Sequence, residues 1–492
     1  MKRLIPICCF LLMTLAVTAQ NNVEIAGQCE NAAGKRIELY YYEDMLSRAE
    51  RLMDATQIDD NGQFTLHCYA NYPRLVVLQI ENYSQSFYIE PGRHYNTYLP
   101  HFDWDQDERR NLWLDPVALP FEFLNLAPDE LNLRIARFEE TVDSFVTANR
   151  VWFDLKYHPQ KRYMDTLEAL VHKRWPAGQS ARGDQGGTFF ERYVEYTLAV
   201  MRLSLHFASR KQLHNRYLAG KSVLYHDENY MTFLFALNED AISKGTRRVG
   251  KNRLIDWVRR ADLTAYMDSI GTDPLLFDEQ LRELAAIEAL KESYYDHDYD
   301  RTGVRAMLRT ISTSSKFPER RKLAENLLAS FQQAERGTEL PVIELPDADH
   351  NIHSLDEFRG KWVYLSFVRV GDPNSLRELE TMAHFRDSVY SKDSNVLFVS
   401  ISCDREFQKM YHFLHNSRRG QRYNWLWLHF DRNYRLLERY GVVRYPTFIL
   451  INPEGKLHYN ITPSPESGIL LHGPWEKKKT PVEENALPFF QR

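Results

Sequence analysis

Residues 363–382 read VYLSFVRVGDPNSLRELETM. The apolar run Trp362–Val368 has the composition of a buried strand, and Leu376–Ser388 carries Leu and Glu at helical spacing. A short polar loop, Gly371-Asp372-Pro373-Asn374-Ser375, joins them, and strand–loop–helix junctions are where many α/β folds keep their chemistry. The pattern continues downstream. Val396–Ser402 reads as a strand, Arg405–Asn416 as a helix, Trp425–His429 as a strand, Tyr434–Tyr440 as a helix and Thr447–Asn452 as a strand, closed by the turn Pro453-Glu454-Gly455-Lys456. Such alternation predicts a central sheet with crossover helices over residues 337–465.

Working outward, the chain changes character twice. Residues 20–102 hold short runs rich in β-branched and aromatic residues: Val23–Cys29, Arg36–Tyr42, Met53–Ile58, Gln63–Tyr69, Arg74–Glu81 and Ser86–Ile89. Asp60-Asn61-Gly62 stands between two of them as a hairpin signal, and Glu90-Pro91-Gly92 marks another turn. A small antiparallel β domain of sandwich or barrel type is expected. Residues 115–335 are helical in period, with Leu131, Ile135, Phe138, Val142 and Phe145 opening the series and amphipathic stretches over 159–174, 188–210, 251–268, 276–292, 300–312 and 318–334. Residues 466–492 are polar and Pro-rich and read as an extended tail. The fold class is therefore multidomain, α+β and α/β, in three parts.

With 492 residues the chain exceeds one hydrophobic core. Its 43% hydrophobic and 26% charged content is that of a globular protein, and a net charge of −5 gives no global attraction to nucleic acid. Residues 1–19 look like a signal peptide: Lys2 and Arg3, an apolar run from Leu4 to Val17, then Val17-Thr18-Ala19 before the expected cleavage. The apolar run is short for a spanning helix, and Cys8 and Cys9 lie too early for a lipoprotein signal. An exported protein without a transmembrane anchor, periplasmic or otherwise envelope-associated, is expected. Cleavage leaves Cys29, Cys68 and Cys403, with no C-x-x-C. In an oxidising compartment a Cys29–Cys68 disulfide and two free cysteines on strand faces are both open readings.

The last region resembles a known family. Pro341–Glu344, Leu355, Gly360-Lys361 and the strand Val363–Phe367 resemble the entry into thioredoxin-fold domains of the envelope thiol–disulfide reductases of the TlpA and ResA type. Tyr440-Gly441-Val442-Val443-Arg444-Tyr445-Pro446-Thr447, running on to Ile451 and Pro453-Glu454-Gly455, resembles their second hallmark. The resemblance implies a cis Tyr445–Pro446 bond facing the active site. The order of parts, with the Asp60–Phe64 turn, also resembles exported TlpA-like proteins of Bacteroidota. In the family, a C-x-x-C supplies an attacking thiolate at the helix N-terminus and a resolving thiol one turn on. By that correspondence Asp372 stands at the first position and Ser375 at the second, and Gly371 replaces the usual Trp. Neither side chain performs thiol exchange, so Asp372 reads as an N-cap with Pro373 at the first helical position.

Other constellations carry less. Asp296-His297-Asp298-Tyr299-Asp300 resembles the start of a calcium loop, but Arg301 and Met307 occupy the positions that need Gly and Glu, so no metal site is expected. The basic run Arg247, Arg248, Lys251, Arg253, Arg259 and Arg260 reads first as a solvated face and second as a patch for an acidic partner or lipid. No H-E-x-x-H, G-x-S-x-G, Walker or Rossmann pattern occurs, and no cofactor is expected. Two functions follow. The first is a redox-inactive binding or scaffolding protein of the envelope, holding another envelope protein or a peptide segment at Tyr445, Pro446 and Thr447. The alternative is a thiol–disulfide oxidoreductase with residual activity involving Cys403, although a lone thiol at a strand end reads more simply as packing.

Overall fold

The computed structural model describes residues 21–104, 117–176, 187–243, 249–332, 340, 343–388, 395–442, 444–459 and 462–467. The expected signal peptide, Arg247, Arg248, Pro341 and the tail from 468 onward lie outside the described residues. The described residues fall into two compact units, 21–104 with 117–330, and those from 331 to 467.

In the first unit, nine strands build two sheets. They are β1 (Asn22–Cys29), β2 (Arg36–Tyr42), β3 (Glu50–Gln57), β4 (Gln63–Tyr69), β5 (Arg74–Ile80), β6 (Tyr83–Ile89), β7 (His94–Leu99), β8 (Val117–Ala118) and β9 (Glu122–Leu124). One sheet has the order β4-β1-β7-β9 and the other β3-β2-β5-β6-β8. Alternate residues of both, among them Ile25 and Leu66 from one and Ile37, Leu39 and Val76 from the other, fill a single core, which makes a sandwich. The sheets are mixed, because β1 runs parallel to β7 and antiparallel to β4. The expected hairpin at Asp60-Asn61-Gly62 is a corner instead. The turn itself forms, with Gly62 at φ +77° and Asp59 Oδ1 accepting the Asn61 and Gln63 N–H groups. Its flanking strands belong to different sheets, since β3 pairs with β2 and β4 with β1.

That register also settles the cysteines. Cys68 faces Val23 while Cys29 ends the same strand. The separation along the strand is roughly 20 Å at about 3.3 Å per residue, whereas a disulfide needs Cα atoms within about 7 Å. Both are free thiols, and the disulfide reading is replaced by the free one.

Ten helices are described in this unit: Leu131–Ala148, Lys161–Arg174, Phe189–Ser204, Arg210–Tyr217, Glu228–Ser243, Lys251–Arg259, Leu263–Ile270, Glu279–Tyr295, Arg301–Ser314 and Pro318–Gln332. Two stretches expected to be single helices are broken. The 188–210 stretch breaks at His206 (φ +57°), and Ser209 caps the next helix in a capping box with Gln212. The 251–268 stretch breaks at Ala261 (φ +53°), and Asp262 caps the next. Sheets and helices meet at β5 and at the end of β6, where Phe87, Tyr88 and Ile89 are all buried. Phe87 and Ile89 enter the sandwich core, while Tyr88, between them, packs with Leu131, Phe138 and Phe190 of the helices. Asn132 ties the same point by donating to the Tyr88 carbonyl at 2.7 Å and accepting its N–H at 2.8 Å.

In the second unit a five-stranded sheet has the order β14-β13-β12-β15-β16, formed by β12 (Trp362–Val368), β13 (Val396–Ser402), β14 (Leu426–His429), β15 (Thr447–Ile451) and β16 (Leu457–Tyr459). The first three are mutually parallel, and β15 and β16 are antiparallel additions. A hairpin, β10 (Glu344–Pro346) with β11 (Ile352–Ser354), precedes them. Both faces of the sheet are covered, which is why its strands read as continuous apolar runs. Tyr364, Val368 and Phe398 meet the helices Pro373–Ser388 and Phe407–Asn416 through Leu379, Met382 and Met410. On the other face Leu365, Phe367 and Ile401 meet Leu437 and Tyr440. The chain just before the expected tail is tied to the sheet, and the first tail residue is exposed but paired. Tyr364 donates its hydroxyl to the Pro463 carbonyl at 2.8 Å, and Glu466 pairs with Arg377 at 3.1 Å.

Candidate functional site

The junction Arg369–Ser375 leaves the carboxyl end of β12, and the pairing of Phe367 with Thr447 brings the Tyr445–Pro446 segment beside it. The Tyr445–Pro446 bond is cis, as the resemblance implies. Asp372 is the N-cap of the helix Pro373–Ser388. Its Oδ2 accepts the Ser375 N–H at 2.7 Å and the Ser375 hydroxyl at 2.8 Å, and its carbonyl accepts the Leu376 N–H at 3.0 Å. Pro373 has no N–H to satisfy. Ser375 is fully buried and also accepts the Arg369 N–H at 3.3 Å. The Ser375 and Leu376 N–H groups of the helix start are therefore taken by Asp372, and the Ser375 proton is committed to the same residue.

Three groups that the sequence reading did not place here complete the site. Cys403 follows the β13 residue that pairs with Val368, and its N–H donates to the Val368 carbonyl at 2.8 Å. It is thus beside the loop in space. The thiol is fully buried in the apolar core, hydrogen-bonds with Tyr445, and has its pKa pushed well up by loss of solvent. Asp404 anchors the loop, accepting the Val370 N–H at 2.9 Å and the Ser402 hydroxyl at 2.8 Å, and burial shifts its carboxyl upward. Arg369 lays its guanidinium over the Tyr445 ring, 4.6 Å from the centroid. Behind them buried His429 donates Nε2–H to the Asp404 carbonyl at 2.7 Å. The Asp431 N–H at 3.1 Å from Nδ1 fixes that tautomer, and burial lowers its pKa. Thr447 donates to the Arg444 carbonyl at 2.6 Å. No pattern in the sequence flags Arg369 or Asp404, because β13 lies adjacent to β12 only in the folded sheet.

The profile of the AhpC/TSA family matches residues 336–460. This part of the chain is a thioredoxin-like domain. Solved structures are similar to about a quarter of the chain. The thioredoxin domain of a thiol-disulfide oxidoreductase from Bacteroides vulgatus is 25% identical, covering 25% of this chain and 86% of that one with a TM-score of 0.23. A thiol:disulfide interchange protein from Bacteroides sp. is 26% identical, covering 25% and 80% with a TM-score of 0.22. A thiol-disulfide oxidoreductase from Bacteroides fragilis is 19% identical, covering 27% and 97% with a TM-score of 0.22. No curated protein matches the chain.

The thioredoxin-like domain thus presents a capped helix, a cis-proline segment and a buried thiol behind it. Thiol exchange needs an accessible thiolate and a second thiol to resolve the mixed disulfide. Asp372 and Ser375 supply neither. Elsewhere, Asp296, His297 and Asp298 bring ligand atoms within 4.8 Å of one another, but Lys251 Nζ takes the place of a cation, 2.5 Å from Asp298 and 3.5 Å from Asp296. Asp300 is engaged as the N-cap of Arg301–Ser314. Among the described residues no helix is long and apolar enough to cross a membrane.

Proposed function

We propose that this is an exported cell-envelope protein whose thioredoxin-like domain binds a protein or peptide segment and does not exchange disulfides. The observation that carries the reading is the Asp372–Ser375 cap: the two positions where the resemblance requires thiols are spent on holding the helix start. What persists is the surface beside them, with Tyr445, Pro446 and Thr447 flanked by Arg369. A cis-proline segment at the mouth of such a sheet offers backbone groups to an extended chain, and Arg369 over Tyr445 adds a cation and an aromatic face.

The test has two arms. In an insulin-reduction assay driven by dithiothreitol, the full-length protein is expected to give no acceleration over buffer. Crosslinking in the native envelope is expected to capture a defined partner, and capture is expected to fall on Tyr445→Ala. Insulin reduction abolished by Cys403→Ser would instead establish the thiol–disulfide oxidoreductase, for which the nearness of Cys403 to Tyr445 is the one favourable observation. Export is checked by N-terminal sequencing of the mature chain, with Gln20 expected as its first residue.

A further inference from the structure

In the first unit the chain leaves the helix Leu131–Ala148, makes two single 3-10 turns, Arg150–Trp152 and Leu155–Tyr157, and re-enters a helix at Lys161. The loop is fastened from beneath. Phe153 packs edge-on against Phe145 at 6.1 Å between centroids and joins the helical core. Trp152 stacks on Tyr163 at 5.4 Å and 10°, and the Gln160 N–H donates to the Trp152 carbonyl at 3.1 Å. With the loop so held, it leaves Val151, Leu155 and Tyr157 46%, 55% and 52% exposed. Single exposed apolar residues are ordinary, but three large ones on one short loop are not.

Charge says what they face. Exposed Arg150, Lys156, His158, Lys161 and Arg162 interleave with the apolar groups. Within 150–162 four permanent cations stand against one carboxylate, a net +3 on a chain whose total is −5. That carboxylate, Asp154, accepts the Lys156 N–H at 2.8 Å, and the next two acids in sequence, Asp165 and Glu168, are paired with Arg202. We infer that this loop docks on an anionic phospholipid surface. Val151, Leu155 and Tyr157 enter the boundary between headgroups and acyl chains, and the surrounding cations meet lipid phosphates. A protein partner would leave most of these cations to be matched one by one, whereas a dense sheet of phosphates satisfies them without fixed geometry. This inference does not depend on the reading of the Tyr445 site.

Sedimentation of the full-length protein with vesicles tests it, using phosphatidylcholine alone and phosphatidylcholine mixed with phosphatidylglycerol. Binding is expected only to the anionic vesicles. It should be lost between about 0.1 M and about 1 M salt, as the screening length falls from about 10 Å to about 3 Å. Lys156→Glu combined with Lys161→Glu is expected to weaken it about tenfold or more. Leu155→Ser with Tyr157→Ser should weaken it too, with the thermal melt unchanged because both side chains are exposed. Failure of the wild type to bind, equal binding to neutral vesicles, or undiminished binding by both double variants overturns the inference. A dimer in solution dissolved by Leu155→Ser, without vesicle binding, also overturns it and assigns the loop to a second copy.

Discussion

Asp372 illustrates how one side chain settles the character of a site. Its carboxylate accepts twice from Ser375, so both residues serve the helix start. Removing such a cap costs about 1 kcal/mol, with about 2 kcal/mol as an upper figure. Asp372→Ala is therefore expected to lower the unfolding free energy by that amount, read as a lower urea midpoint at unchanged slope, while Asp372→Asn retains most of the stability. An unchanged midpoint for Asp372→Ala would remove the capping account. The thiols give a second prediction. Burial raises Cys29 and Cys68 to about 11, and Cys403 is buried completely. At pH 8 a thiol with a pKa of about 11 is about one part in a thousand thiolate. Site-by-site alkylation read by mass spectrometry should find all three slow in the native protein, Cys403 slowest, and all fast in denaturant. Rapid native labelling of Cys403 would show that the site opens.

At the scale of elements, the β10–β11 hairpin carries a charge clamp. His353 Nε2 lies 3.1 Å from Asp347 and Nδ1 3.1 Å from Glu357, which precedes β12. Desolvation pulls the His353 pKa down, but the hydrogen bonds to Asp347 and Glu357 outweigh it, and the net shift is upward. Both carboxylates titrate lower than usual, Asp347 despite its desolvation because Asn351 and His353 bond to it, Glu357 through the Ser354 N–H and His353. A raised histidine stabilises fully below its unfolded pKa near 6.5 and loses that contribution as pH climbs through the folded value, while lowered carboxylates stabilise above about 4.5 and lose it on acidification. The hairpin is then tightest between about pH 4.5 and 6.5. Amide exchange of Leu345 and His353 across that range should show a protection maximum that His353→Gln flattens. A flat wild-type profile would contradict the clamp. Elements also show what was legible in the sequence. Strands of the second unit were readable because both faces are apolar, and Asp372 because caps are local. The strand His94–Leu99 was not, since its outward set holds exposed His94 and Asn96 and its inward set includes Thr97, a buried hydroxyl bonded to the Ala26 carbonyl at 3.2 Å. Helix breaks at His206 and Ala261 were hidden because apolar spacing continues across both. Arg369, Cys403 and Asp404 join one site only through strand adjacency, which no spacing encodes.

For the whole molecule, the first unit is closed by polar bonds between its two ends. Asn326, buried in the helix Pro318–Gln332, donates to Asp44 at 2.8 Å and to Glu43 at 3.1 Å, and Lys291 donates to the Leu46 carbonyl at 2.8 Å. Asn326→Ala leaves the buried Asp44 carboxylate short of a donor, at a cost of about 1–3 kcal/mol. Denaturation followed by both near- and far-ultraviolet circular dichroism should show one destabilised transition for sheet and helices of this unit. Separate transitions would mean that the β and helical parts unfold independently. The same bond has a consequence for biogenesis. Asp44 and Asn326 are 282 positions apart, so a growing chain holds an unfinished sandwich until nearly all of the helical segment has appeared. Between those moments its apolar strand faces, Tyr88 among them, lack their helical cover, which makes this interval the one in which a chaperone is most needed. The main part of the second unit starts at residue 331, five positions after Asn326, so its folding starts when the first unit has just become able to finish.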